Sequence, residues 1–235
     1  MTAKRMLGKV IFKACLAGNN WLVRVGFDEE VDYVPGQYVS LKVNENGLRR
    51  SYSITSLPGE KSIDLLIDVS PMGVGSKYVL GLKAGDIVEV LGFLGKFGVS
   101  VETLEKESEF LFVGTGAGIA PLKPMIEDLL IRKSFRGKVH LVWGMRYEEN
   151  LYWIKEIEKL QRDFDNFHFD VVLSKPSADW PGLKGHVGDV VEKLSINWSK
   201  ALVYLCGNSE MIESMRKQSL LGGATEDRIF YERFA

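Results

Sequence analysis

Phe110-Leu111-Phe112-Val113-Gly114-Thr115-Gly116-Ala117-Gly118-Ile119-Ala120-Pro121 is an apolar run that ends in a glycine-rich turn and passes into a proline. Apolar residues without alternation read as a strand buried on both faces. Proline is tolerated in the first turn of a helix but not in its interior, so a helix opens at about Pro121. Strand, glycine turn and helix N-terminus together are the setting in which backbone N–H groups receive a dinucleotide pyrophosphate. The spacing here is G-x-G-x-G rather than G-x-G-x-x-G. The next strand ends in Gly144-Met145-Arg146, where the strict dinucleotide fingerprint has an acid. A conventional Rossmann dehydrogenase is therefore disfavoured. A nucleotide site of another kind stays open, as does a plain glycine turn.

Downstream, strands and helices alternate. Pro121–Lys133 carries Leu122, Met125, Ile126, Leu129 and Leu130 at helical spacing, and Val139–Trp143 is the next strand. Asn150 is placed to cap a helix from Leu151 to about Phe164, with Ile154, Ile157 and Leu160 on one face. Strand Phe167–Leu173, helix Val187–Leu194, strand Ala201–Leu205, helix Asn208–Leu220 and strand Arg228–Phe234 complete it. This pattern predicts a parallel sheet covered on both faces. Upstream the pattern changes. Val10–Phe12, Leu22–Val25, Tyr38–Val43, Ser51–Thr55, Ile63–Val69 and Ile87–Leu91 are short β-favouring runs divided by turn residues, which predicts a closed barrel or sandwich. Ser76–Leu82 is the one helical candidate there. The charged stretch 101–108 reads as the linker, between domains at 1–103 and 108–235.

The chain has 235 residues, 46% hydrophobic and 26% charged, with a net charge of −1. That balance gives no global field for nucleic acid or an anionic membrane. Two distant cysteines, Cys15 and Cys206, exclude a disulfide framework and a zinc or iron–sulfur site built on cysteine. Lys9 and Lys13 break any secretory h-region, and no run reaches the length of a membrane span. The expectation is a cytoplasmic protein. His140 and His168 fall in strand patterns and read as structural, while His186 sits in a glycine-rich loop.

Four further constellations carry chemistry. Arg50-Ser51-Tyr52-Ser53-Ile54-Thr55-Ser56 is an extended stretch. Strand alternation puts Arg50, Tyr52 and Ile54 on one side and Ser51, Ser53 and Thr55 on the other. A guanidinium matches phosphate bidentately, and a tyrosine beside it can stack on a flat ring. The same residues also make an ordinary surface strand. Gly73-Val74-Gly75-Ser76 opens the short helix and permits close approach of an anion, or is a simple turn. Cys206-Gly207-Asn208 follows a strand of the parallel sheet, beside Gly114, where such sheets bind ligands; a small buried thiol is the alternative. Tyr231-Glu232-Arg233-Phe234-Ala235 ends the chain in aromatics, either as core packing or as a ring laid on a cofactor.

These motifs, in this order, resemble the ferredoxin–NADP reductase superfamily over essentially the whole chain. Arg50-Ser51-Tyr52-Ser53 matches its R-x-Y-S flavin motif and Gly73–Ser76 its pyrophosphate turn. Gly114–Pro121 matches its G-T-G-x-x-P nicotinamide loop with one additional residue, and Cys206-Gly207 its C-G motif. The resemblance implies a six-stranded antiparallel Greek-key β-barrel holding FAD, followed by an α/β domain with a five-stranded parallel sheet holding NAD(P)H. It implies that Arg50 neutralises FAD phosphate, with Ser51 beside it, that Tyr52 packs on the isoalloxazine, and that Ser53 bonds near its N5. Gly73, Gly75 and Ser76 hold pyrophosphate, with Ile67 and Val69 also at the flavin. Gly114, Thr115, Gly116, Ala117, Gly118 and Pro121 face the nicotinamide dinucleotide. Cys206 and Gly207 lie near the nicotinamide, Glu232 lies near the flavin edge, and Phe234 covers the ring until nicotinamide displaces it. Ser53, Cys206 and Glu232 are the catalytic candidates. Arg146 and Lys175 are placed to meet a 2′-phosphate, yet the residues around them also look like NADH-using reductases, and the reading leans to NADH. With two cysteines and 235 residues, no fused iron–sulfur, globin or second flavin domain is expected. Electrons would pass to a separate acceptor such as ferredoxin, flavodoxin or an oxygenase component, from a monomer. The alternatives are a flavin-bearing subunit active only in a complex, and a free-flavin reductase.

Overall fold

The protein is described by a computed structural model covering residues 3–100 and 108–234. The first half forms β1 (Lys4–Ala17), β2 (Asn20–Val31), β3 (Tyr38–Lys42), β4 (Arg49–Ser53), β5 (Glu60–Asp68), α1 (Val74–Gly81) and β6 (Ile87–Leu94). The strands form one sheet in the order β4-β3-β6-β1-β2-β5, and every neighbouring pair is antiparallel. A bridge between Ile54 and Leu65 joins the two edges, so the sheet closes into a barrel with β6 returning between β3 and β1. Val23, Val25, Val39, Leu41, Ile54, Ile63, Leu65 and Val90 fill its interior. Ile54 therefore leaves the face expected of it. The strand ends at Ser53, and the closing bridge turns the next side chain inward.

The second half forms β7 (Glu109–Thr115), a 3₁₀ turn at Gly116–Gly118, and α2 (Ile119–Glu127), which runs on as a π turn at Asp128–Arg132. Then come β8 (Lys138–Met145), α3 (Ile154–Asp163), β9 (Phe167–Leu173), β10 (Leu183–Lys184), α4 (Val187–Val191), β11 (Ala201–Gly207), α5 (Ser209–Gly222) and β12 (Ile229–Arg233). The sheet is parallel throughout, in the order β10-β9-β8-β7-β11-β12. The two-residue β10 is an edge strand beyond the five expected. The apolar run of β7 is explained by its two faces. Phe110 and Phe112 enter the core under α2 and α3, while Leu111 and Val113 enter the core under α4 and α5.

Two local expectations change. The helix after β8 starts at Ile154 behind a left-handed Trp153, φ 56°, and is not capped by Asn150, which lies in a 3₁₀ turn against Gly18. The cause is Tyr152, whose ring is buried edge-on against Trp143 at 5.0 Å. The chain must dip into the core there before it can wind. The helix expected to reach Lys133 ends its regular turns at Glu127, because the Lys133 N–H bonds to the Asp128 carbonyl five residues back. Of the linker expected at 101–108, residues 101–107 lie outside the described residues.

The two units share a packed junction. Leu66, Phe97 and Val99 from the barrel half belong to the same apolar core as Phe112 and Tyr204. Tyr204 Oη donates to the Gly98 carbonyl at 3.4 Å and Lys133 Nζ to that of Val99 at 3.2 Å. At Gly36, φ 100°, a side chain would overlap the Phe97 carbonyl and stand 2.9 Å from Met125 Sδ of α2.

Candidate functional site

The groove on the barrel is built from β4 and the start of α1. Arg50 and Tyr52 project to the same side, and the first turn of α1 comes up against both. A Cβ at Gly75 would stand 2.5 Å from Tyr52 Oη and 2.9 Å from Arg50 Cγ, so only glycine allows this approach. The two adjacent arginines have separate tasks. Arg49 is tied to Glu89 and donates to the Ser40 carbonyl at 2.8 Å. Arg50 is exposed, bonds only the Arg49 carbonyl, and has no carboxylate within ion-pair distance among the described residues. A committed and an uncommitted guanidinium thus sit side by side, and the uncommitted one faces the helix N-terminus. Burial pushes the Tyr52 hydroxyl up, with Arg50 opposing in part, so the ring stays neutral. Ser53 and Ser76 are buried. Ser51 is exposed on the opposite side of β4. Gly73 stands immediately before α1 with open space around it. Ile67 and Val69 are 2% and 3% exposed in the barrel core, so their side chains are not presented to the groove. β5 carries Ile67 inward by strand alternation, and Val69 follows just past the end of that strand.

The second groove lies at the carboxyl ends of β7 and β11. Gly114 and Cys206 are register partners, and the 3₁₀ turn that follows β7 rests on the β11 backbone. A Cβ at Gly118 would overlap the Cys206 carbonyl oxygen and stand 2.7 Å from its carbonyl carbon. From behind, the Gly116 carbonyl accepts from Trp143 Nε1 at 2.9 Å and Tyr152 Oη at 3.3 Å. That clamp fixes the turn at Ala117. Thr115 lies against Gly207, and Pro121 is buried in the first turn of α2. Asn208 caps α5 by accepting from the Met211 N–H at 2.8 Å. Sequence reasoning missed the clamp. Its only trace in the sequence is that Trp143 and Tyr152 carry a polar N–H and O–H into an apolar core.

Between the grooves sit Cys206, Glu232 and Phe234. Cys206 is fully buried, and burial first, then the nearby Glu232 carboxylate, pushes its thiol well up, so it is a neutral SH. Glu232 is its register partner on β12, and burial pushes that carboxyl up to about 7. Glu232 also reaches the barrel, because a Cβ at Gly95 would stand 3.6 Å from Glu232 Oε1. The Phe234 N–H donates to the Gly207 carbonyl at 3.0 Å, which brings the chain end to the mouth of the second groove. Arg146 and Lys175 meet at the rim, with the Lys175 N–H on the Arg146 carbonyl at 2.9 Å. Both side chains are exposed, and neither has a carboxylate within ion-pair distance among the described residues.

Of the histidines, His140 meets Asp170 at 2.8 Å, and His168 and His186 are exposed. Among the described residues no group of three His, Cys, Asp or Glu side chains could hold a metal ion, and no helix is long and apolar enough to cross a membrane.

Comparison with known proteins matches residues 9–98 to an oxidoreductase FAD-binding domain and 112–217 to an oxidoreductase NAD-binding domain. The chain is 28% identical over 207 residues to the toluate 1,2-dioxygenase electron transfer component of Pseudomonas putida, covering 88% of this chain and 60% of that protein. It is 32% identical over 214 residues to one component of the Na(+)-translocating NADH-quinone reductase of Neisseria gonorrhoeae, covering 84% of this chain and 51% of that one. The chain thus spans only half to three-fifths of these curated relatives. Its fold superposes on an Amycolatopsis cytochrome P450 reductase with a TM-score of 0.91 and 27% identity, over 99% of this chain and 70% of that one. The geometry fits both cofactors. Arg50 is a free cation beside a glycine helix N-terminus and a tyrosine plate, which suits FAD. The Gly116–Gly118 turn, flush against Cys206, offers a side-chain-free backbone to a nicotinamide dinucleotide.

Proposed function

Since the chain belongs to the ferredoxin–NADP reductase superfamily, with its FAD-binding domain followed by its NAD-binding domain, we propose that it is a flavoprotein reductase drawing on NAD(P)H and serving a separate electron acceptor. FAD, when bound, supplies the chemistry, taking hydride from the reduced nicotinamide and releasing electrons singly. Our reading rests on one observation above the others: Glu232 pairs with Cys206 of the second groove and reaches Gly95 of the barrel, while Phe234 bonds Gly207 beside them.

The residues divide the work as follows. Arg50 binds phosphate, with Gly73, Gly75 and Ser76 offering the α1 N-terminus. Tyr52 provides a stacking plate and Ser53 a polar group at the ring edge. Gly114–Gly118 and Pro121 receive the nicotinamide dinucleotide, held in shape by the Trp143 and Tyr152 bonds to Gly116. Buried Cys206 packs at the nicotinamide as a neutral group, and Gly207 lets it approach. Glu232 holds or gives up a proton near neutral pH. Phe234 shields the ring from water. The protein thus contributes distance, orientation and a dry site. The matched spans support domains at 1–103 and 108–235.

The donor we favour is NADH, in keeping with the NADH-quinone reductase component among the relatives. Arg146 and Lys175 are the residues through which a 2′-phosphate would act. The acceptor we favour is a ferredoxin, flavodoxin or oxygenase component met by a cytoplasmic monomer, in keeping with the electron transfer component of a dioxygenase. A second reading, a flavin-bearing subunit that turns over only within a larger complex, is favoured by the partial span of the relatives.

Steady-state reduction of ferricyanide by the FAD-loaded chain, with limiting NADH and then NADPH, tests the proposal. Turnover by the isolated chain supports the reductase reading, with a higher kcat/KM for NADH. A chain that holds FAD but turns over with neither nucleotide refutes it in favour of the complex-bound subunit.

A further inference from the structure

A cleft of about 590 Å³ lies between the two halves; it takes no lining residue from the glycine-turn groove and touches the junction of the two grooves only at Gly95, which lies against Glu232. It sits at the Asp128–Lys133 end of α2, about 20 Å along that helix from the glycine turn. Small-molecule sites occupy roughly 300–1,000 Å³ and favour domain interfaces, lined by apolar groups with a few polar ones. This cleft has that composition. Val34, Pro35 and Phe97 supply an apolar wall from the barrel side. Lys96 from the barrel side, with Arg132 and Lys133 from the second half, supplies cations.

The charges are not equally committed. Asp128 also lines the cleft but is neutralised by Lys133 at 2.7 Å. Arg132 holds Asp128 only at 3.8 Å and the Pro58 carbonyl at 3.4 Å. Lys96 is exposed, with no carboxylate within ion-pair distance among the described residues. Asp32, on the barrel wall, is the one remaining acid of the lining. With Lys133 and Asp128 paired, the lining keeps a loosely held guanidinium, a free ammonium and the Asp32 carboxylate, an excess of positive charge.

We propose that this cleft is a third ligand site, binding a small organic anion with a flat apolar body, such as an aromatic carboxylate. Its body lies on Val34, Pro35 and Phe97, and its carboxylate bridges Lys96 and Arg132. Because the two cations belong to different halves, the ligand straps the barrel to the α/β unit. It therefore favours one domain angle over others. The site does not depend on the redox reading above, since binding is measured without turnover.

The test is calorimetric titration of the FAD-loaded chain with 2-naphthoate and with its neutral isostere 2-naphthamide. Wild type is expected to bind one naphthoate, with the amide about tenfold weaker or more. Lys96→Glu, on an exposed side chain, is expected to weaken naphthoate about tenfold, and Val34→Trp to abolish binding by filling the cleft. FAD content and NADH affinity should be unchanged in both variants. Three results would each overturn the proposal: no saturable binding of naphthoate, displacement of naphthoate by NADH, or equal binding to wild type and Lys96→Glu.

Discussion

Replacing Gly118 by alanine asks whether the nicotinamide groove depends on the contact between the glycine turn and β11. The new Cβ would overlap the Cys206 carbonyl oxygen and stand 2.7 Å from its carbonyl carbon, with Gly207 N at 3.2 Å. Non-bonded carbons settle at about 3.5–4.0 Å, so turn and strand must part by about 1 Å. Both partners are backbone, and the turn is already pinned at Gly116 by Trp143 and Tyr152. The strain therefore cannot be relieved by a side-chain rotation. Overpacking of this kind costs about 1–3 kcal/mol. In a chain of this size that lowers Tm by roughly 2–12 °C. A displacement of about 1 Å at a reacting centre costs about 10²-fold in rate. Gly118→Ala should therefore lower kcat/KM for NADH about 10²-fold, in stopped-flow flavin reduction, while FAD content stays at wild type because the barrel is untouched. Gly81→Ala is the control. It has open space around it and no left-handed backbone, so it should leave kinetics unchanged. Gly118→Ala with wild-type reduction kinetics would refute the reasoning.

The paired arginines should separate. Arg50→Ala should weaken FAD about 10–150-fold in fluorescence titration, from losing a charge-assisted bond of about 1.5–3 kcal/mol. Arg49→Ala should instead lower stability by about 1–2 kcal/mol, by leaving Glu89 unpaired, with FAD affinity near wild type. Glu232 has a folded value raised to about 7 from 4.5, so its protonated form favours the folded state. That contribution is full below about pH 4.5 and lost as pH rises through 7. Glu232→Gln, which cannot ionise, should match wild type in denaturant unfolding at pH 4.5 and exceed it by about 1–3 kcal/mol at pH 8. Gly36→Ala should cost about 2–4 kcal/mol, because a left-handed backbone and the Phe97 carbonyl both reject a side chain; thermal unfolding measures it.

Much of this was legible because the signals were local. Phe110–Val113 read as a doubly buried strand since both faces of the sheet are covered, and the glycines at 114, 116 and 118 marked a turn. What escaped the sequence depended on distant partners. Ile54 turns inward only because Leu65 closes the barrel. Asn150 has the chemistry of a cap, but burial of Tyr152 moved the helix start to Ile154. Arg49 and Arg50 are indistinguishable in sequence, and Glu89, forty positions away, decides which one is free. Ile67, in β5, and Val69, just past its end, are buried in the barrel core. The β10 strand, at two residues, is too short to carry any period.

The most direct measurement is an anaerobic titration of the FAD-loaded chain with NADH, following the oxidised-flavin absorbance band. The account predicts stoichiometric bleaching by NADH, and weaker bleaching by NADPH at equal concentration. A flavin band that neither nucleotide bleaches would contradict it, because convergence of the two grooves at Cys206 and Glu232 would then have no consequence for electron transfer.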